Sequence, residues 1–201
     1  MARSRRLAAA VNPITHGLVS WSVGDAVGLG PRDRVLATWC GVAPDADGLG
    51  VVIDGINKLL GRPDTWLFGR YHHAWLHGLP AAIVLPLAIA AVAERRLRTF
   101  AAGVLVVHLH LLGDIVGSRG PTAADIWPIR YLAPISERWT IAWSGQWALN
   151  AWPNIALTLA LLAFAFYRAV RSGYSPVEAF HPRADRAFVD TVRRRWRVWR
   201  G

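Results

Sequence analysis

Cysteine is nearly missing: Cys40 is the single one in 201 residues. The chain therefore has no internal disulfide and no thiolate metal cluster, and a metal would have to be held by His and carboxylate groups. Charge is sparse too. Only 18% of the residues are charged, against ~25% in an average globular domain, while 53% are hydrophobic. Acids are the scarcer sign, with 13 Asp and Glu against 23 Lys and Arg and a net charge of +10. This balance excludes an acidic soluble enzyme and a disordered polyelectrolyte. Helix-turn-helix, zinc-finger and RNA-binding signatures are absent, so nucleic acid is not an expected partner. No apolar run of secretory length precedes Asn12-Pro13, and no cleaved signal peptide is expected.

The positive charge is concentrated at the ends. Arg3, Arg5 and Arg6 precede the first apolar run, and nine arginines from Arg168 onward face only Glu178, Asp185 and Asp190. The stretch from Leu7 to Tyr167 is nearly neutral. Basic termini around a neutral apolar middle predict a membrane protein whose two termini are cytoplasmic. Gly78–Ala93 and Thr99–Gly113 are apolar runs separated by Glu94-Arg95-Arg96-Leu97-Arg98, which reads as a helical hairpin with a basic turn. Trp147–Tyr167 is a third candidate, ending at Arg168 and Arg171. Leu7–Leu29 and Val35–Ile53 are apolar but interrupted by polar groups. One net crossing before Gly78 would then bring the total to about four transmembrane helices. The expected fold class is all-α, a multi-pass helical membrane protein with shorter embedded or interfacial helices. Residues 1–171 would form the membrane-embedded domain and 172–201 a basic cytoplasmic tail.

Two further patterns concern the membrane. Trp139, Trp143 and Trp147 recur at i, i+4 and i+8, a spacing that would make a helical stripe and an interfacial aromatic belt. In the tail, Phe188, Val192, Trp196 and Trp199 recur at helix-like spacing among arginines. A helix lying on an anionic lipid surface is expected there, with a solvated basic tail as the alternative.

The informative polar residues lie inside the apolar middle, in four patterns: Thr15-His16-Gly17, Pro44-Asp45-Ala46-Asp47, the run His72-His73-Ala74-Trp75-Leu76-His77, and His110-Leu111-Leu112-Gly113-Asp114. On a helix, His110 and Asp114 share one face. Imidazole and carboxylate are the usual zinc ligands where Cys is absent, although a hydrogen-bonded core His–Asp pair has the same spacing. His108 points to another face. His73 and His77 share a face, and the sequence leaves open whether His72 or His73 is the ligand. Asp45 and Asp47, between Pro44 and Gly48, sit in a turn; they can bind metal or serve as helix caps. His16 alone reads equally as a satisfied core histidine.

The ordered series THG, PDxD, HxxxxH and HxxxD, followed by a Gly-containing loop and Trp-Pro, resembles the bacterial inner-membrane metal-dependent hydrolase family, described as LexA-binding, inner-membrane-associated hydrolases. The resemblance runs from about Asn12 to Ile129. That family is distantly similar to the all-helical zinc-dependent phospholipases C and single-strand nucleases. The resemblance implies a divalent-metal centre, two or three zinc ions, held by His16, Asp45, Asp47, His72, His77, His110 and Asp114. It further implies Asp114 as the bridging carboxylate and Asp45 or Asp47 as the catalytic group that orients or deprotonates water. Relative to the family pattern, His73, Leu76, Gly78 and Gly117 replace a common Arg, Thr, Ser and Thr. The implied activity is hydrolysis of a phosphoester or lipid-linked substrate at the inner membrane, with membrane lipids as partners. The alternative is a non-catalytic membrane protein using the same residues for structure, ion binding or a b-type haem between His77 and His110.

Overall fold

Prolines and glycines set the limits of the helices. The computed structural model describes residues 13–63, 65–73 and 75–200. Helix α1 (Pro13–Ala26) begins on a proline, which needs no N–H partner in the first turn. The chain then reverses through Gly28, whose φ of +69° suits glycine. Pro31 opens α2 (Pro31–Val42), which runs on into a 3₁₀ segment, Ala43–Leu49, and then into α3 (Gly50–Leu59). The short α4 (Leu67–Tyr71) precedes the histidine loop. Helix α5 (Leu79–Val92), α6 (Arg96–Gly117) and α7 (Trp152–Ser172) follow, and α7 stops at Gly173 with φ +82°. A final helix, α8 (Pro182–Arg200), carries the basic tail. Two short strands, β1 (Ile129–Arg130) and β2 (Thr140–Ile141), pair antiparallel between α6 and α7.

Five of these helices, α1, α2, α5, α6 and α7, stand side by side. Gly17 lies against Val42 and Gly24 against Arg34, so α1 and α2 form an antiparallel hairpin. Gly41 is pressed onto Ser20 so closely that a Cβ there would collide with it, which lets the two helices approach. Helix α6 runs parallel to α2 and antiparallel to α5, with Pro86 against Gly103. Helix α7 runs parallel to α1, paired through Thr15–Thr158 near one end and Asp25–Arg168 near the other. The core between them is apolar and small-residue rich: Cys40, Ala82, Val106 and Val107, with Leu29, Ala37 and Ala102 below.

The all-α expectation holds, but the count of crossings does not. Among the described residues, two helices are long and apolar enough to span a bilayer, α6 with 22 residues and α7 with 21. At ~1.5 Å per residue these reach about 30 Å or more, the thickness of the hydrocarbon core. The expected span at Gly78–Ala93 is the 14-residue α5, too short by that measure. The single net crossing expected before Gly78 is replaced by the α1–α2 hairpin, which returns the chain to the end where it began. Trp139, Trp143 and Trp147 lie on no helix; Trp139 directly precedes β2 and the other two follow it, because residues 118–151 fold as loops around the small hairpin. The expected tail helix forms, as α8. Arg3, Arg5, Arg6 and Asn12 lie outside the described residues.

Outer faces of the bundle are apolar. Leu157, Leu159, Leu162 and Phe166 on α7, and Ile83, Val84 and Leu87 on α5, are exposed. So large an uncovered apolar surface is what lipid contact requires.

Candidate metal centre

All seven histidine and aspartate residues expected at the site meet at one end of the bundle. His16 is in the first turn of α1, beside α6, where Gly113 leaves room for its ring. The 3₁₀ segment brings Asp45 and Asp47 over the end of α2. Gly48 is needed next, since a Cβ there would lie 2.8 Å from His72 Nδ1. The loop after α4 supplies His72, His73 and His77, with His73 in the left-handed region at φ +63°. Helix α6 contributes His110 and Asp114 one turn apart. His16, His72, His73, His77, His110 and Asp114 are all buried.

The centre of the cluster is a triangle of atoms. His110 Nε2 lies 3.1 Å from His77 Nε2, and Asp114 Oδ2 lies 3.2 Å from the first and 3.4 Å from the second. His16 Nε2 approaches Asp114 Oδ1 at 3.4 Å, His73 Nε2 approaches Oδ2 at 3.7 Å, and Asp45 Oδ1 is 3.8 Å from His110 Nε2. Zinc–nitrogen and zinc–oxygen bonds of ~2.0–2.1 Å in a tetrahedron put ligand atoms roughly 3.3–3.4 Å apart, the spacing seen here.

Hydrogen bonds on the far side of the rings decide which nitrogen carries a proton. His110 Nδ1 lies 2.8 Å from the Gly41 carbonyl, which can only accept, so Nδ1 is the donor and Nε2 presents a lone pair inward. His77 Nδ1 and His72 Nδ1 each lie 3.0 Å from an oxygen of Asp47, which turns their Nε2 atoms away from it. Asp47 also accepts from the backbone N–H of Leu76 at 3.2 Å. Inward-facing lone pairs and a carboxylate oxygen so close together repel unless a proton or cation lies between them. His16 Nε2, His72 Nε2, both ring nitrogens of His73, both oxygens of Asp45 and Asp114 Oδ2 are buried and lack a hydrogen-bond partner. Buried polar groups are ordinarily paired.

Charge is unevenly shared among the loop residues. Burial pushes the Asp45 carboxyl above its ordinary range, and His110 and His16 only partly offset it. Burial also opposes ionisation of Asp47, but the hydrogen bonds of His72 and His77 outweigh it and hold Asp47 below the usual carboxylate range. Burial opposes the charge of His77, but its contacts with Asp114 and Asp47 outweigh it and push it up to about 9, a proton that a divalent ion bound there would displace. His73 is held well below the usual imidazole range by burial and then by the His77 charge.

The structure separates the two acids that the sequence treated alike. Asp47 has both oxygens engaged by histidines, whereas Asp45 has neither engaged. His72 and His73 both enter the cluster, where the sequence left the choice open. Ser118, which donates to Asp114 Oδ1 at 2.9 Å, and Gln146, whose Nε2 donates to the Asp114 carbonyl at 2.7 Å, were not foreseen. Ser118 was findable, since it lies four residues after Asp114; Gln146 comes from a distant loop and carried no signal. His108 faces away, toward Tyr131 and the Val104 carbonyl. His77 Nε2 and His110 Nε2 are 3.1 Å apart with Asp114 Oδ2 beside both, too close to hold a porphyrin iron from opposite faces.

Residues 11–179 match the family model described as YdjM inner membrane protein. The chain belongs to the YdjM inner membrane protein family. The match contains every residue of the cluster and ends before α8, and it supports placement at the inner membrane with the apolar α6 and α7. No curated protein matches the chain, and no solved structure does.

Proposed function

We propose that this YdjM-family chain is a membrane-bound metal-dependent hydrolase acting on a phosphoester, in a lipid or lipid-linked substrate. One observation carries the reading: His77 Nε2, His110 Nε2 and an unpartnered Asp114 oxygen converge within 3.4 Å in a buried place. His77, His110 and Asp114 would hold a divalent ion such as zinc, with His16, Asp45, His72 and His73 placed for a second or third. A bound divalent ion supplies a Lewis acid and lowers the pKa of water toward ~7.

The chain's own residues divide the remaining work. Asp47 fixes the rings of His72 and His77, as outer carboxylates do around metal-binding histidines. Gly41 does the same for His110 through its carbonyl. Asp45, whose two oxygens are buried and free of hydrogen bonds, would be the base that takes a proton from an attacking water. Support for a lipid-linked substrate comes from α3, which follows the Asp45–Asp47 segment directly. Its Val52, Ile53, Ile56 and Leu59 are exposed apolar residues beside the site, and Trp75 on the histidine loop is exposed as well.

The test is phosphoesterase activity of the purified full-length protein against phospholipid and soluble phosphodiester substrates, with metal content measured in parallel. Hydrolysis that is lost with chelator, restored by zinc, and abolished in Asp45→Asn supports the proposal. Stoichiometric metal without hydrolysis of any such substrate would favour a metal-binding protein that is not an enzyme.

A further inference from the structure

A second site lies at the opposite end of the molecule, between α7 and α8, and does not depend on the metal centre. The family match ends at residue 179, so α8 lies beyond the matched span. This helix folds back on α7. Phe188 packs against Phe166, with ring centroids 5.6 Å apart, and Arg193 Nε donates to the Val170 carbonyl at 3.0 Å. Between the two helices is a groove of about 710 Å³, lined by Ala163, Phe166, Tyr167, Val170, Val192 and Trp196, with Arg171 beside them. That volume is within the ~300–1,000 Å³ of small-ligand sites.

Chemistry at the groove changes along its length. Its walls on α7 belong to a helix apolar enough to span the bilayer, and Phe166 and Tyr167 are exposed. At the end where the apolar run of α7 stops stands Arg171. Arg195 shares the side of α8 that carries Val192, three residues earlier, and Trp196 and Trp199 continue that helix with their rings 5.5 Å apart. Among the described residues no salt bridge engages Arg171 or Arg195. An apolar slot at the edge of a spanning helix, lined by Trp196 and the unpaired Arg171 and with Arg195 on the same side of α8 as Val192, matches an acyl chain joined to an anionic headgroup.

We propose that the α7–α8 groove binds one anionic phospholipid, its acyl chain against Ala163, Phe166 and Val192 and its phosphate on Arg171 and Arg195. The test uses the full-length protein in neutral detergent, followed by thermal unfolding with added phosphatidylglycerol, phosphatidylcholine of the same chains, or inorganic phosphate. Phosphatidylglycerol should raise the midpoint by a few degrees, as expected for a ligand that binds only the folded state, and the other two should leave it in place. The double variant Arg171→Gln, Arg195→Gln and, separately, the groove-filling Ala163→Trp should each lose that shift. Native mass spectrometry of the wild-type protein should show one retained phosphatidylglycerol, which checks the proposal even where a variant folds poorly. Equal shifts with both lipids, a shift reproduced by phosphate alone, a shift retained in both variants, or no retained lipid would overturn it.

Discussion

Asp33 and Asp114 are buried to the same degree, each with 1% of its surface exposed, at opposite ends of one bundle, and their surroundings differ in kind. Asp33 accepts from the backbone N–H groups of Glu94 and Arg95 at 2.9 and 2.8 Å, closing the turn before α6. Around it, Glu178 takes Arg34 and the Trp21 indole, and Asp25 takes Arg168 and the Tyr174 hydroxyl. Each of these three acids has its donors within the chain. At the other end, Asp114 and Asp45 have oxygens without donors, and His16 Nε2, His72 Nε2 and both ring nitrogens of His73 lack partners as well. A fold able to satisfy these three acids so fully at one end leaves a group of acids and histidines unsatisfied at the other. Buried unpaired charge destabilises a fold, so an occupant from outside the chain is the economical explanation for the second arrangement. Structure is the work of one end, and ligand binding is what we propose for the other.

Substitutions at the two ends should therefore separate. The largest effect is expected in Glu178→Ala, which strips Arg34 of its partner inside the bundle; unfolding measurements should show a loss of about 3–5 kcal/mol, with metal content per folded chain unchanged. Next comes Asp47→Asn. It leaves the atoms nearest the triangle in place but loosens the rings of His72 and His77, and zinc affinity measured by competition with a chelating dye should fall roughly 10–100-fold. Stability should barely change in this variant, which would sharpen the contrast.

Acid should act on the Asp33 end in a defined direction. Burial opposes ionisation of Asp33, but the Glu94 and Arg95 N–H groups more than offset it, so its folded pKa lies below the ordinary value. A lowered folded pKa means that its contribution is complete above the unfolded pKa of ~3.9 and is lost as pH falls through the lower folded value. Asp33→Asn should flatten that acid-side decline in a pH series of melting curves. The smallest effect has the opposite sign. In metal-free protein, Asp45→Leu should raise stability by about 1 kcal/mol, because it removes two buried oxygens without donors. A loss of stability there would break the comparison.

How much of this could be read from the sequence follows the same division. The four His and Asp patterns were visible because such residues are conspicuous in apolar surroundings, and their residues do converge. Helix α6 was legible as a continuous apolar run. The bundle's crossings were not, because hydropathy cannot distinguish a spanning helix from a short one that ends on Pro, Gly or a capping acid. Helix α5 shows this: its apolar run suggested a span, but it stops at Val92, and Asp33, far away in sequence, holds the turn that follows. Different roles for Asp45 and Asp47 were also hidden, since they depend on which carboxylate the His72 and His77 rings reach. The tryptophan spacing at 139, 143 and 147 misled because a period of four means a helical stripe only where a helix forms.

The central claim is that the unsatisfied end of the bundle is a metal centre, and X-ray absorption at the zinc edge on the wild-type protein, with elemental analysis beside the double variant His110→Ala, Asp114→Ala, tests it most directly. At least one zinc per wild-type chain is expected, with a first shell of nitrogen and oxygen, the outer-shell scattering of imidazole, and metal at background in the folded double variant. Equal and negligible metal in both proteins after growth and purification with zinc present would contradict it.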